Sequence, residues 1–121
     1  MNKITYFDTE QYALTKNDIW LRKIGEVWEL RIPIVANSAS QCADAQYYNI
    51  SGEEKIRQIF NVAPESDFEK DISNFGYVSF CVLDEKENVP FLLEQKEAIE
   101  YLKRKKPQHF AALVEAGVVN E

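Results

Sequence analysis

The segment Ile19–Ile32, IWLRKIGEVWELRI, constrains the fold more than any other part of the sequence. Two runs of mixed apolar and charged residues flank Gly25-Glu26, and a glycine at the first position of a two-residue loop favours a type II′ turn. Such a loop pairs Ile24 with Val27 and aligns the two runs as antiparallel strands. The segment therefore predicts a β-hairpin, and Pro33 is expected to end its second strand because proline cannot donate to a strand ladder.

The alternation of side chains along a strand divides this hairpin into two faces. One face is apolar apart from a single lysine and is expected to pack on the core: Ile19, Leu21, Lys23, Trp28, Leu30 and Ile32. The other face is mixed and is expected to lie away from the core: Trp20, Arg22, Ile24, Val27, Glu29 and Arg31. Two guanidinium groups beside an aromatic ring can hold an anion and a flat organic group. The alternative is a solvated face on which Arg22 pairs with Glu29 across the strands.

The rest of the sequence predicts further strands, followed mostly by helices. Strand-like runs lie at Lys3–Phe7, Tyr47–Ile50 and Gly76–Leu83. One helical pattern follows the capping-box residues Ser51 and Glu54, and a second covers residues 89–105. A last short helix is expected between Pro107 and Gly117. This order predicts an α+β fold with an antiparallel sheet and C-terminal helices, in a single domain spanning residues 1–121.

Composition excludes several classes of protein. The net charge of −6 argues against a nucleic-acid partner, and no apolar run has the roughly 18–20 residues that a membrane helix needs. The N-terminus lacks the apolar core of a signal peptide, so we expect a cytoplasmic protein with Cys42 and Cys81 reduced. Cys81 is expected to be buried in a strand. His109, the only histidine, is expected at the surface of the last helix.

Several motifs occur together and in a fixed order along the chain. They are Tyr6-Phe7-Asp8-Thr9, Trp20-Leu21-Arg22, Trp28-Glu29-Leu30-Arg31-Ile32-Pro33, Asn74–Val78 and Glu97–Val119. In this order they resemble the CYTH superfamily of triphosphate tunnel enzymes and, within it, the thiamine triphosphatases. The resemblance covers roughly half to two-thirds of the chain.

The resemblance implies a sheet curved into a tunnel that hydrolyses a small organic triphosphate, such as thiamine triphosphate, with the help of Mg²⁺. Arg22 and Arg31 would bind phosphates, with Arg31 standing where the family usually has lysine, and Trp20 would stack on the thiamine moiety. Glu69 and Asp71 match the family's Asp-x-Asp strand and would hold the metal. The alternative for this acidic pair is a solvated turn.

The chain also departs from the family's pattern. It lacks the N-terminal Glu-x-Glu-x-Lys strand and part of the middle, and Tyr48-Asn49-Ile50 replaces the family's Lys-Glu-Leu step. The strand after Gly76 has Cys81 and Leu83 where the family carries glutamates. We therefore expect a partial, truncated tunnel. The chain would be a hydrolase, a non-catalytic module that binds phosphorylated ligands or other proteins, or a truncated product of such an enzyme. A monomer is expected, with a dimer through exposed strand edges as the alternative.

Overall fold

Five strands and four α-helices make up the described part of the chain. The computed structural model describes residues 3–34, 47–62, 67–84, 89 and 91–119. The strands are β1 (Lys3–Thr9), β2 (Trp20–Ile24), β3 (Val27–Pro33), β4 (Tyr47–Ser51) and β5 (Tyr77–Asp84). The helices are α1 (Glu53–Phe60), α2 (Phe68–Asn74), α3 (Phe91–Lys105) and α4 (Pro107–Glu115), and a 3-10 turn spans Thr15–Asn17.

The predicted hairpin forms the centre of the sheet, with its predicted register. The strand order is β4-β3-β2-β1-β5, and every neighbouring pair is antiparallel. Ile24 lies opposite Val27, and the pairing continues from there back to Trp20, the first residue of β2, which lies opposite Arg31. Gly25 has a φ of 57°, as the first residue of a type II′ turn requires, and β3 ends at Pro33.

Helices cover both faces of this sheet. One core cluster combines Leu21, Trp28 and Leu30 of the hairpin with side chains of α1 and α2. The other cluster lies on the opposite face, where β1, β2 and β5 pack against α3 and α4. The α+β class is therefore confirmed. Within the described residues the sheet is open, with β4 and β5 at its edges, and does not close into a tunnel.

The mixed face of the hairpin is buried at Trp20, Arg22 and Arg31, although Val27 beside the turn is exposed, which corrects the expectation that this face lies away from the core. Trp20 has no exposed surface, and Arg22 and Arg31 are 6% and 5% exposed. The cause is α3, which packs across this face and covers it. Strand alternation identifies residues that share a face, but it carries no information on which later element packs there.

The acidic pair Glu69 and Asp71 lies in a helix, so both the strand and the turn interpretations are wrong. Asp67 caps α2, since its Oδ1 accepts a hydrogen bond from the Lys70 amide at 3.3 Å. Phe68 and Ile72, four residues apart, are both buried against the sheet. This spacing and the cap together account for a helix in this segment.

The start of α1 also differs from the prediction, whereas the C-terminal helix agrees with it. Ser51 does not cap α1, because it is the last residue of β4 and pairs with Glu29 of β3. The N-cap of α1 is Gly52, with no side-chain hydrogen bond. The last helix begins at Pro107, and Gly117 follows it with a φ of 81°.

Cys81 and His109 are both buried, as expected for the cysteine and contrary to the prediction for the histidine. Cys81 is a free thiol whose pKa burial raises to about 12, while Cys42 lies outside the described residues. His109 is 1% exposed because the first turn of α4 faces the sheet. Its Nε2 donates to the Thr15 hydroxyl at 2.9 Å, and that hydroxyl donates to Asp8 at 2.6 Å. The Tyr12 ring stacks on the imidazole at 3.8 Å.

We expect His109 to make stability depend on pH. Burial lowers its pKa from 6.5 to about 4, so below pH 6.5 the unfolded chain takes up a proton that the folded chain does not. The contribution of His109 is complete above pH 6.5 and is lost as the pH falls towards 4. Between pH 7 and pH 5 we expect the free energy of unfolding to fall by about 1–2 kcal/mol from this group.

Urea denaturation of the wild type and His109→Gln over this pH range measures the effect. The glutamine amide can donate to the Thr15 hydroxyl in place of Nε2 but does not titrate. The variant should therefore show a flatter pH profile. Equal slopes for the two proteins would show that another group is responsible.

Candidate anion-binding site

Arg22 and Arg31 lie side by side on the α3 face of the hairpin, as the predicted register requires. Arg22 faces Glu29 across the strands, and Trp20 faces Arg31. The ring of Phe91, the first residue of α3, packs on both guanidinium groups. Its centroid is 3.6 Å from Cζ of Arg22 and 4.6 Å from Cζ of Arg31. One aromatic ring therefore holds the two cations next to each other.

Arg22 is held by two carboxylates that come from different parts of the fold. Its Nε donates to Oε1 of Glu29 at 2.9 Å, and its Nη2 lies 2.6 Å from the same oxygen. Its Nη1 donates to Oε2 of Glu94, on α3. Burial alone would lower the pKa of Arg22, but the Tyr6 phenol and the two carboxylates raise it above its ordinary value. Arg22 is thus a fully compensated cation.

Arg31 receives no such compensation from carboxylates in the described part of the chain. Among the described residues no carboxylate forms a salt bridge with it, and its buried Nε has no hydrogen-bond partner. Its guanidinium lies 3.8 Å from the ring centroid of Tyr47 and also contacts the Phe91 ring. Burial lowers the pKa of Arg31, and Tyr47 and the charge of Asp18 offset this only in part. A buried cation without an ion-pair partner destabilises a fold unless something else binds it.

Between the sheet and α3, two further buried polar atoms have no hydrogen-bond partner among the described residues. They are the Tyr6 hydroxyl, which lies near the Arg22 guanidinium, and Oε1 of Gln95 on α3. Burial raises the pKa of Tyr6, so this hydroxyl stays protonated and can donate. Together with Nε of Arg31 they provide two donors and one acceptor between the sheet and α3. Unpaired buried groups of this kind are uncommon in folded proteins and need an explanation.

Trp20 belongs to the core in this structure. Its Nε1 donates to Oδ1 of Asp18 at 2.7 Å, and its ring meets that of Tyr6 edge-on, with centroids 5.9 Å apart. Asp18 also accepts a hydrogen bond from the Tyr47 hydroxyl at 2.6 Å. Because the indole ring has no exposed surface, a ligand can reach it only if the packing around it changes. The stacking role of Trp20 therefore stays a prediction.

The structure does not bring Glu69 and Asp71 together with the arginines. Both acidic residues are on α2, on the opposite face of the sheet. Glu69 lies 3.5 Å from Nζ of Lys23, and Asp71 lies 3.9 Å from Arg57. Residues two apart on a helix point in different directions. No cluster of three or more His, Cys, Asp or Glu that could hold a metal occurs in the described part of the chain.

The sequence analysis missed the side of the site that α3 and β4 contribute. Glu94, Gln95 and Phe91 come from α3, and Tyr47 comes from the start of β4. One sequence pattern, in α3, could have indicated these residues. Glu94 and Gln95 fall between Phe91 and Ala98 on the stripe that this helix turns to the sheet, and both are buried. A carboxylate on the buried stripe of a helix needs a cation opposite it.

Comparison with known proteins assigns no family to the chain. No protein-family model matches it, and no curated protein matches it. None of the described helices is long and apolar enough to cross a membrane.

Proposed function

We propose that this protein binds a phosphorylated organic anion of the triphosphate class between the hairpin and α3. The observation that carries the proposal is Arg31, a cation that is 5% exposed and has neither a salt bridge among the described residues nor a partner for Nε. Phosphate oxygens would supply the missing acceptors, since the planar guanidinium group matches their geometry. Arg22 would contact further phosphates of the same ligand.

Hydrolysis of thiamine triphosphate to thiamine diphosphate and phosphate is the second candidate. The observation that favours it is the hairpin register, which places Trp20, Arg22 and Arg31 of the family-like motifs on one face. In this reaction water attacks the terminal phosphorus, and the bond to the bridging oxygen breaks. The carboxylates near the arginines, Glu29 and Glu94, are engaged with Arg22, and Glu69 and Asp71 lie across the sheet. Binding is therefore better supported than Mg²⁺-dependent turnover.

The proposal also includes the ancestry, the cellular location and the oligomeric state of the protein. We propose a chain of CYTH-type ancestry, acting in the cytoplasm as a monomer on a small-molecule ligand. Dimerisation through the sheet edges is the alternative arrangement, and β4 and β5 are the strands it would use. Gel filtration with light scattering distinguishes the two.

Titration calorimetry with thiamine triphosphate tests the binding proposal on the wild type, Arg31→Met and Lys23→Met. Lys23 is the matched control, because it is a hairpin cation on the opposite face, 3.5 Å from Glu69. We expect Arg31→Met to weaken binding by roughly tenfold or more, the value of a charge-assisted hydrogen bond, and Lys23→Met to leave it unchanged. Equal affinities for all three proteins would contradict the proposal.

A phosphate-release assay on the same three proteins, with Mg²⁺ present, tests the second candidate. Hydrolysis would be supported if the wild type releases phosphate and Arg31→Met releases less. Binding without release would leave the protein as a binding module.

A further inference from the structure

The contact between Arg22 and Glu94 joins the sheet to α3 at the proposed anion site. Glu94 is 6% exposed and its carboxylate binds Nη1 of Arg22, while Glu29 binds the Nε edge of the same guanidinium. Glu29 is on β3, directly opposite Arg22 on β2. Glu94 is on α3 and is separated from Arg22 by 72 positions in the sequence. Of the two carboxylates, Glu94 is the one that α3 contributes.

We infer that Glu94 is a specificity-determining residue that acts as an internal competitor for phosphate at Arg22, an inference that rests on the proposed anion site. A carboxylate and a phosphate offer the same kind of acceptor oxygen to a guanidinium group. A ligand with a single phosphate can be held at Arg31 while Glu94 stays on Arg22. A ligand with a chain of phosphates reaches Arg22 only by displacing Glu94.

The geometry of the two arginines makes a chain of phosphates the relevant ligand. Arg22 and Arg31 are diagonal neighbours across β2 and β3, a relation that places two residues about 7–8 Å apart, with their Cβ atoms somewhat closer. Both guanidinium groups contact the single ring of Phe91. One polyphosphate chain can therefore contact both cations at once, which a single phosphate group does less well.

Displacement of Glu94 also has a consequence for α3. Once it leaves Arg22, the carboxylate would be a buried charge without a partner unless it reaches water. Glu94 can reach water only if α3 shifts away from the sheet. Binding of a polyphosphate should therefore loosen the packing of α3, whereas binding of a single phosphate should not.

The test compares tripolyphosphate with orthophosphate by titration calorimetry on the wild type, Glu94→Gln and Glu29→Gln. In Glu94→Gln we expect the affinity for tripolyphosphate to rise roughly tenfold or more, because a charge-assisted bond no longer has to be broken, and the affinity for orthophosphate to change much less. Glu29→Gln leaves Glu94 in place and should not raise the affinity for tripolyphosphate.

A second measurement follows α3 directly and does not need the Glu94 variant to fold. Cys81 is a buried thiol in the core cluster that includes Ala98 and Leu102 of α3. In a Cys42→Ser background, tripolyphosphate should accelerate modification of Cys81 by a thiol reagent, and orthophosphate should not.

The outcomes separate this inference from the function on which it rests. If Glu94→Gln binds tripolyphosphate as the wild type does while Arg31→Met loses it, Glu94 is not a competitor and the anion site stands. The same conclusion follows if bound tripolyphosphate leaves the modification of Cys81 unchanged. If neither the wild type nor Glu94→Gln binds any phosphate, the inference and the proposed function both fail.

Discussion

Replacing Arg22 by methionine is expected to lower the free energy of unfolding by about 3–5 kcal/mol, because Glu94 would remain buried without a partner. Glu94 has a side-chain exposure of 8%, so water cannot replace the lost guanidinium. Glu29, at 28%, is exposed enough to be solvated after the change. Urea denaturation with linear extrapolation measures the difference.

The double variant Arg22→Met with Glu94→Met is the control for this prediction. Apolar replacement of both members of a buried ion pair is often neutral, so we expect it to recover most of the stability that the single change removes. A double variant as unstable as Arg22→Met would contradict the account. So would a single variant that loses less than about 1 kcal/mol, the usual value of an exposed pair.

Replacing Trp20 by alanine is expected to cost about 3–5 kcal/mol of unfolding free energy, the usual loss for a large buried aromatic side chain. The indole ring has no exposed surface and packs edge-on against Tyr6. The change also removes the donor that Asp18 uses, at 2.7 Å from Nε1. Chemical denaturation followed by circular dichroism measures the loss without relying on tryptophan fluorescence.

Tyr48→Ala on β4 is the matched control, because this aromatic side chain is 59% exposed. It should change stability by no more than about 0.5 kcal/mol. If Trp20→Ala were equally mild, the ring would not be part of the core. The expectation that Trp20 faces a ligand directly would then be the better description of this position.

The hairpin could be predicted from sequence because its determinants are local. The glycine at the turn sets the strand register, and the alternation of side chains sets which residues lie on the same face. The predicted register and the predicted faces agree with the structure. The helix that covers that face could not be predicted in this way. The contact between Arg22 and Glu94 joins residues 72 positions apart, and no local pattern encodes it.

The wrong predictions have the same physical origin. The sequence predicts a surface position for His109 because no partner lies near it in the chain, but its partner Thr15 is 94 residues away. Glu69 and Asp71 were assigned by motif to a strand. The cap at Asp67 and the apolar pair Phe68 and Ile72 instead specify a helix. The two arginines, which form half of the candidate site, could be predicted from the sequence. The other half depends on tertiary packing.

The central claim is that Arg31 is kept in a buried position for a ligand and not for the fold. Its most direct test is the urea unfolding of the wild type and Arg31→Met, each with and without tripolyphosphate. Without ligand, Arg31→Met should be as stable as the wild type or more stable, since the change removes a buried cation that has no salt bridge among the described residues. With ligand at about 100 times its Kd, the wild type should gain about 2.7 kcal/mol and the variant much less. A variant that is destabilised without ligand, yet stabilised by tripolyphosphate as strongly as the wild type, would contradict the claim.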